Sequence, residues 1–145
     1  MGVILDTAVL IAAERARFDM PGDLAALGDE PVALAAICAS ELLHGVERAR
    51  DPAVRQRQGA FVEGVLANVP VLPFGLADAR VHTRVWAALA AADTPVGAHD
   101  LLVAATALAA GTAIATRNEA EFRRVPGLAL APLAPFQRGW AIQRG

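Results

Sequence analysis

Three acidic residues of this sequence are candidates for a catalytic site. Asp6 ends the short apolar run of residues 3–5, and Glu41 and Asp100 each lie at the start of a predicted helix. Carboxylates that are brought close together repel one another, and a divalent cation offsets that repulsion. Mg²⁺ and Mn²⁺ prefer oxygen ligands, lower the pKa of bound water and hold the oxygens of a phosphodiester. These residue types therefore indicate metal-dependent phosphoryl chemistry rather than acyl transfer.

Polar residues that follow a later strand-like run form a second group of candidates. Thr116, Arg117 and Asn118 come directly after residues 112–115, and Glu121 lies about one helical turn further on. The amide oxygen of Asn118 can complete the ligand shell of a cation without adding charge, and Glu121 can supply the missing charge. Arg117 is the best candidate to bind a substrate phosphate, because a guanidinium forks onto phosphate oxygens. The sequence thus predicts a site of three acids and one amide.

Helix capping is the competing explanation for each of these residues taken singly. Acids are favoured near a helix N-terminus, where the helix dipole is positive. Asp6, Glu41 and Asp100 could each play that part in its own helix, and Asn118 could cap a short helix that ends near residue 124. Capping does not explain why the three acids would share one edge of a sheet, so the metal site is the favoured interpretation.

Several other polar residues are assigned structural roles. His44, His82 and His99 lack the spacing of a zinc site, and His99, although it is next to an acid, is interpreted as a loop residue. Ser40 is predicted to cap a helix, because no histidine stands in a partner motif for a serine nucleophile. Cys38 is predicted to be a small buried residue.

Strand-like and helix-like segments alternate along the chain. Apolar runs predict strands, and apolar positions at helical spacing predict helices. The predicted strands cover residues 3–5, 32–37, 69–73, 112–115 and 128–130; the predicted helices cover residues 7–17, 40–50, 76–92, 100–110 and 118–124, and another begins at residue 51. This order predicts an α/β sandwich with a mainly parallel sheet. Ligands bind beyond the carboxyl ends of such strands, where the three acids and the amide are expected.

The composition fits one domain that spans residues 1–145. Hydrophobic residues make up 55% and charged residues 19% of the chain, which is enough for a core and too little charge for disorder. A single cysteine excludes an intramolecular disulfide and suits a reducing cytoplasm. The net charge of −2 gives no general attraction to nucleic acid, although all 13 basic residues are arginine. No leader is recognised, and the weakly polar stretch 101–116 is short for a membrane span, so we expect a cytoplasmic protein without membrane contact.

Four segments of the sequence resemble the motif regions of PIN-domain nucleases, and most of all those of the VapC-type toxins. They are residues 4–11 (ILDTAVLI), 40–48 (SELLHGVER), 99–108 (HDLLVAATAL) and 115–122 (ATRNEAEF). The first segment alone is a weak signal, whereas all four in this order and at this spacing are specific. The resemblance extends from about residue 3 to residue 133.

The resemblance implies both a fold and an activity. The fold is a three-layer α/β/α sandwich with a five-stranded, mainly parallel sheet. The activity is Mg²⁺- or Mn²⁺-dependent endonucleolytic cleavage of RNA that leaves a 5′ phosphate, and the partners are a VapB-type antitoxin and a second copy of the chain. Asp6, Glu41 and Asp100 match the three core acids of the family, and Thr116 matches the hydroxyl residue that precedes the fourth position.

The chain departs from the family pattern at two positions. Asn118 stands where aspartate is often found, and Ala8 stands where a serine is common, which leaves Thr7 as the nearest hydroxyl to orient Asp6. Two alternatives to the ribonuclease remain open. One is a catalytically degenerate PIN fold that only binds RNA or antitoxin, which the intact acids disfavour. The other is a phosphatase of the haloacid-dehalogenase kind, which would need a second aspartate two residues after Asp6 and a lysine, and the chain has neither.

Overall fold

The computed structural model describes residues 2–15 and 31–132 of the 145-residue chain. Strands and helices alternate in this part of the chain. The strands are β1 (Val3–Leu5), β2 (Val32–Ala35), β3 (Val71–Leu72) and β4 (Ala113–Ala115). The helices are α1 (Thr7–Arg15), α2 (Ala36–Arg48), α3 (Pro52–Asn68), α4 (Leu76–Ala91), α5 (Ala98–Ala110) and α6 (Glu119–Phe122). The end of the helix predicted for residues 7–17 lies outside the described residues, and the assignment of 1–145 to one domain stays a prediction.

The four described strands form one parallel sheet in the order β3-β2-β1-β4. The first strand lies at its centre, where Ile4 is opposite Ala33 of β2 on one side and Ile114 of β4 on the other. The chain therefore leaves β1 toward one edge of the sheet and later returns to its other side. In open parallel sheets this change of direction opens a crevice at the carboxyl ends of the two strands.

Helices cover both faces of the sheet, which confirms the predicted three-layer sandwich. Val3 and Leu5 belong to a buried cluster with α1, α2 and α3, and Ile4 belongs to a second cluster with α4 and α5. Neighbouring side chains of a strand point to opposite faces, so β1 is apolar throughout because both of its faces are buried. This burial fixes the register of β1, because a slip by one residue would bring Asp6 into an apolar layer.

Local end signals of two helices act as the sequence predicts. Asp51 precedes α3, and its Oδ1 accepts hydrogen bonds from the backbone N–H groups of Ala53 and Val54 at 2.8 and 3.2 Å. Pro52 occupies the first turn, where it has no hydrogen bond to lose. Gly111 ends α5 with a φ of 68°, a left-handed conformation that strains a residue with a Cβ.

The beginning of α2 was predicted wrongly. The strand β2 ends at Ala35 rather than at residue 37, and α2 begins at once at Ala36 rather than at Ser40. Ser40 is an exposed residue inside the helix, so its predicted capping role is wrong. Ala35 takes the cap position with extended backbone, and its methyl side chain offers no acceptor for a capping hydrogen bond. Cys38 is fully buried, as predicted.

The predicted fifth strand is a single bridge in the described structure. Leu130 pairs in parallel with Ile114 of β4, and Ile114 exchanges backbone hydrogen bonds with Ala129 and Ala131 at 3.0 and 2.8 Å. A turn precedes this segment, where Gly127 has a φ of 77°. The segment therefore reaches the edge of the sheet at the predicted place but too briefly to form a strand, and the five-stranded sheet is corrected to four strands and a bridge.

Burial inside the sandwich explains why the weakly polar segment near residue 101 is so apolar. Leu101, Val103 and Ala104 of α5 are buried in the second core cluster, between the sheet and α4. Among the described residues, no helix combines the length and the apolar character that crossing a membrane would require.

Candidate active site

The sheet brings the predicted acids together at the carboxyl ends of its two central strands. Asp6 follows β1 directly and Thr116 follows β4 directly. Glu41 comes from α2 and Asp100 from the first turn of α5, so two helices and the ends of two strands contribute. This is the edge on which the sequence predicted them, and the packing of α2 and α5 against the sheet decides their approach.

Asp6 is held by donors from two parts of the chain. Its Oδ1 accepts the backbone N–H of Thr7 at 2.9 Å, and its Oδ2 accepts the Thr116 hydroxyl at 2.8 Å. The Thr116 oxygen in turn accepts the backbone N–H of Asn118 at 2.9 Å. Asp6 is 7% exposed and Thr116 is 1% exposed. A contact between residues 110 positions apart is not a helix cap, so capping alone does not account for Asp6.

Glu41 is joined to Asp6 through Thr7. The Thr7 hydroxyl donates to Glu41 Oε1 at 3.2 Å, while the backbone of the same residue binds Asp6. On its other side, Glu41 Oε2 lies 3.8 Å from Nδ1 of His99. Because α2 begins at Ala36, Glu41 lies beyond the first turn, and the helix dipole no longer explains an acid at this position.

Asp100 is the acid whose ionisation the site perturbs most clearly. Burial raises its pKa to about 7, and the adjoining Glu121 carboxylate and the charge of Asp6 add to that rise. The hydrogen bond from Asn118 acts in the opposite direction. Asp100 therefore lies where protein groups alone do not stabilise its negative charge, which is the condition that a bound cation relieves.

Asn118 occupies the cap position of α6 without capping it through its side chain. Its amide nitrogen donates to Asp100 Oδ2 at 3.5 Å and to Glu121 Oε2. The capping explanation for its side chain is therefore wrong. In this arrangement Asn118 acts as a donor between two carboxylates, and its predicted part as an oxygen ligand stays a prediction.

Glu121 makes a contact that the sequence did not reveal. Its Oε1 accepts the backbone N–H of Gly97 at the start of α5. This hydrogen bond, helped by Asn118 and by the charge of Arg124, lowers the pKa of Glu121. No sequence signal indicates this contact, because only the placement of α6 beside α5 brings Gly97 and Glu121 together. Arg117 is exposed and makes no ion pair with a described acid.

The chemistry of the donors fits a hard divalent cation, whereas their present spacing does not yet enclose one. The site offers carboxylate, hydroxyl and amide oxygens, the ligands that Mg²⁺ and Mn²⁺ prefer. Within residues 2–15 and 31–132, no three acidic, histidine or cysteine side chains are grouped so that they could hold a metal ion. A bound cation would therefore require these side chains to move toward it.

Comparison with known proteins gives one family. A family model for the PIN domain matches residues 3–128. A protein of Rickettsia bellii named Ribonuclease VapC is 34% identical over 128 residues, which are 88% of this chain and 93% of that protein. A protein of Salmonella typhimurium named tRNA(fMet)-specific endonuclease VapC is 34% identical over 103 residues, which are 70% of this chain and 75% of that protein.

Solved structures show the same fold. A chain in the crystal structure of DNA-bound VapBC from Salmonella typhimurium matches with a TM-score of 0.80 and 27% identity, over 90% of this chain and 97% of that chain. A chain of VapBC2 from Rickettsia felis, bound to a DNA fragment from its promoter, matches with a TM-score of 0.79 over 90% of this chain and 98% of that chain. Its identity is 22%, so this second likeness concerns the fold.

Proposed function

This chain belongs to the PIN-domain family, and we propose that it is a Mg²⁺- or Mn²⁺-dependent endoribonuclease of the VapC kind. One observation carries the proposal: Asp6 and Glu41, which are 35 positions apart and come from different elements, are joined by Thr7 at the sheet edge that also receives Asp100. Here Asp100 keeps a raised pKa, which favours a site built for a cation.

Asp6, Glu41 and Asp100 are the residues that would hold the cation, with Asn118 as the fourth member. A divalent cation bound there lowers the pKa of water and stabilises the charge of a phosphodiester during displacement. Thr116 and Thr7 keep the Asp6 carboxylate in place, and Thr7 also orients Glu41. These hydroxyl contacts reduce the side-chain ordering that binding would otherwise cost.

Arg117 is the residue that we assign to the RNA backbone. It lies between Thr116 and Asn118, it is exposed, and it is not paired with an acid of the described chain. A guanidinium can bind two phosphate oxygens at once, which would place the scissile phosphodiester over the acids. The cleaved bond leaves the 5′ phosphate that the family resemblance implies.

A VapB-type antitoxin is the proposed protein partner. The structure has a groove of about 210 Å³ between α1, α2 and α3, lined by apolar residues such as Ile11, Leu42 and Phe61. Glu41 also lines this groove, and Ile11 is 42% exposed. A peptide segment that buries its apolar side chains here would reach the acids and block access of RNA. The solved complexes of Salmonella typhimurium and Rickettsia felis are described as VapBC and support such a partner.

A second copy of the chain is the proposed partner of a different surface. Three large apolar side chains are exposed at and just before α4: Phe74 at 39%, Leu76 at 69% and Trp86 at 60%. The rings of Phe74, His82 and Trp86 follow one another with centroid distances of 5.9 and 5.6 Å. An exposed aromatic cluster of this kind is self-complementary in a two-fold dimer, and the homodimer implied by the resemblance would bury it.

The activity is tested by incubating the purified chain with RNA in the presence of Mg²⁺ or Mn²⁺. We expect endonucleolytic cleavage that EDTA abolishes and that Asp6→Asn removes, with Glu47→Gln as a matched control at an exposed acid. Cleavage that persists in excess chelator would overturn the metal-dependent mechanism. Cation binding without cleavage of any RNA would favour the degenerate binding module, and release of phosphate from monoesters would favour the phosphatase.

A further inference from the structure

Two helices of this protein begin with the same local pattern. Gly75 precedes α4 and Gly97 precedes α5, and in each case an aspartate follows three residues later, as Asp78 and Asp100. In a capping box, the side chain at that third helical position reaches back and accepts the backbone N–H of the cap residue. This shared local pattern favours the same cap at both helices.

The structure gives the two aspartates different partners. At α4 the capping box forms, and Gly75 N–H donates to Asp78 Oδ2 at 2.9 Å. At α5 the N–H of Gly97 donates instead to Glu121 Oε1 at 2.5 Å, from a residue 24 positions further along the chain. Asp100 makes no such contact and remains at the candidate metal site.

We propose that Glu121 is a positioning residue, which takes the capping place of α5 and so leaves Asp100 free for the metal site. The Gly97 N–H carries a single proton, and Glu121 already accepts it. The second oxygen of Glu121 accepts from Asn118, so that the carboxylate is held at two points. This deepens the proposed function, because it assigns Glu121 to support of a site acid rather than to direct binding of the cation.

Both carboxylates lie next to Gly97, and a side chain at this position would come closest to Glu121. A Cβ at this position would lie 3.3 Å from Glu121 Oε1 and 3.9 Å from Asp100 Oδ2. The second distance places Asp100 Oδ2 beside the Gly97 backbone. Removal of the Glu121 carboxylate would therefore let Asp100 turn onto the vacated N–H, as Asp78 does at α4.

The expected result of Glu121→Ala is thus a helix that keeps its cap and a site that loses an acid. If Glu121 had only a structural role, its substitution would lower the melting temperature in proportion to the loss of metal binding. If Glu121 bound the cation directly, its removal would weaken metal binding regardless of which group caps α5. Only the positioning role predicts that Asp100 replaces Glu121 as the cap of α5.

The exchange itself can be followed by NMR in the metal-free chain, with no use of RNA or of a cation. The readout is the chemical shift of the Gly97 amide proton, which a hydrogen bond to a carboxylate moves downfield. We expect the bonded shift in the wild type, in Glu121→Ala and in Asp100→Ala, and its loss only in the double variant. Loss of the bonded shift in Glu121→Ala alone would overturn the proposal, even if the protein proves not to be a ribonuclease.

Mn²⁺ calorimetry, backed by RNA cleavage, tests the consequence for the site. Residues that orient a ligand typically contribute about 10- to 100-fold in metal affinity, so Glu121→Ala should weaken Mn²⁺ binding by that order. Glu121→Gln keeps an acceptor for Gly97 and should bind Mn²⁺ nearly as the wild type does. Glu119→Ala, on the same short helix, is the matched control because Glu119 pairs with the exposed Arg123.

Adding Gly97→Pro to Glu121→Ala should restore the site, because it removes the Gly97 N–H that would otherwise bind Asp100. Gly97 has a φ of −54°, which proline adopts, and proline has no N–H for Asp100 to bind. Combined with Glu121→Ala, which also removes the carboxylate oxygen that a Cβ at position 97 would approach, Gly97→Pro should bind Mn²⁺ like the wild type. A folded double variant that binds Mn²⁺ as weakly as Glu121→Ala overturns the proposal. If proline prevents folding, the contrast of Glu121→Gln with Glu121→Ala decides, and equal losses in these two variants also overturn it.

Discussion

Asp100 is expected to make metal binding depend on pH near neutrality. Burial, followed by the neighbouring Glu121 and Asp6, raises the pKa of Asp100 to about 7. A cation competes with the proton, because a carboxylate ligand must be deprotonated. With this pKa, the ionised fraction falls from about 90% at about pH 8 to about 10% at about pH 6. The affinity for Mn²⁺ should therefore fall about tenfold over this interval, and about half a proton should be released per ion near pH 7.

Isothermal calorimetry of Mn²⁺ binding measures both quantities. Titrations at three pH values give the affinities, and repetition in two buffers with different ionisation enthalpies counts the protons released. Glu47→Gln, at an exposed acid that pairs with Arg55, should keep the pH dependence. Asp100→Asn should lose both the pH dependence and most of the affinity. Wild-type affinity that stays constant between about pH 6 and about pH 8 would refute the assignment of this titration to Asp100.

The raised pKa of Asp100 has the opposite effect on the stability of the metal-free protein, which should fall as the pH rises. A carboxyl whose pKa is higher in the folded than in the unfolded chain binds its proton more tightly when folded. Its contribution to stability is complete below the unfolded pKa of about 4 and is lost as the pH rises through about 7. Metal-free Asp100→Asn should then melt above the wild type at high pH, with a difference that shrinks toward low pH. Solvent around the exposed part of Asp100 reduces the size of this difference.

Substitutions at three positions test the rest of the site and its surroundings. Asp6→Asn should lower RNA cleavage by about 100-fold or more while circular dichroism shows an intact fold, and a rate near that of the wild type would mean that Asp6 is a structural residue. Asn118→Asp should raise the affinity for Mn²⁺ and Asn118→Ala should weaken it less than Asp6→Asn does; unchanged affinity in both variants, measured by calorimetry, removes Asn118 from the ligand set. Trp86→Ala should shift the chain toward the monomer in light scattering, because it removes the most exposed aromatic ring of the α4 cluster; an unchanged mass would place the dimer contact elsewhere.

The sequence by itself determined the layered fold and the edge that carries the site. An apolar run that ends in Asp6 predicts a strand buried on both faces, and a polar residue can follow only where the strand leaves the core. The caps at Asp51 and Gly111 were also predictable, because each depends on a few adjacent residues. Such features are local, and their hydrogen bonds close within one turn.

Only the tertiary structure decided how the acids are held. Thr116 reaches Asp6 across 110 positions because β4 lies beside β1, and no adjacent residue signals that choice. Ser40 had a local capping signal, but α2 begins four residues earlier, directly after β2, and Ser40 lies inside the helix. In each case a local preference of about 1 kcal/mol is outweighed by the packing of whole elements.

The two Gly-x-x-Asp segments show most directly what the sequence alone does not decide. Read locally, Asp78 and Asp100 are equivalent, since each stands three residues after a glycine that precedes a helix. A backbone N–H binds whichever acceptor is best placed, and at Gly97 that acceptor is Glu121, brought by α6 from 24 positions away. The sequence specified which carboxylates are available, and the packing of α6 against α5 decided which one caps the helix and which one remains at the site.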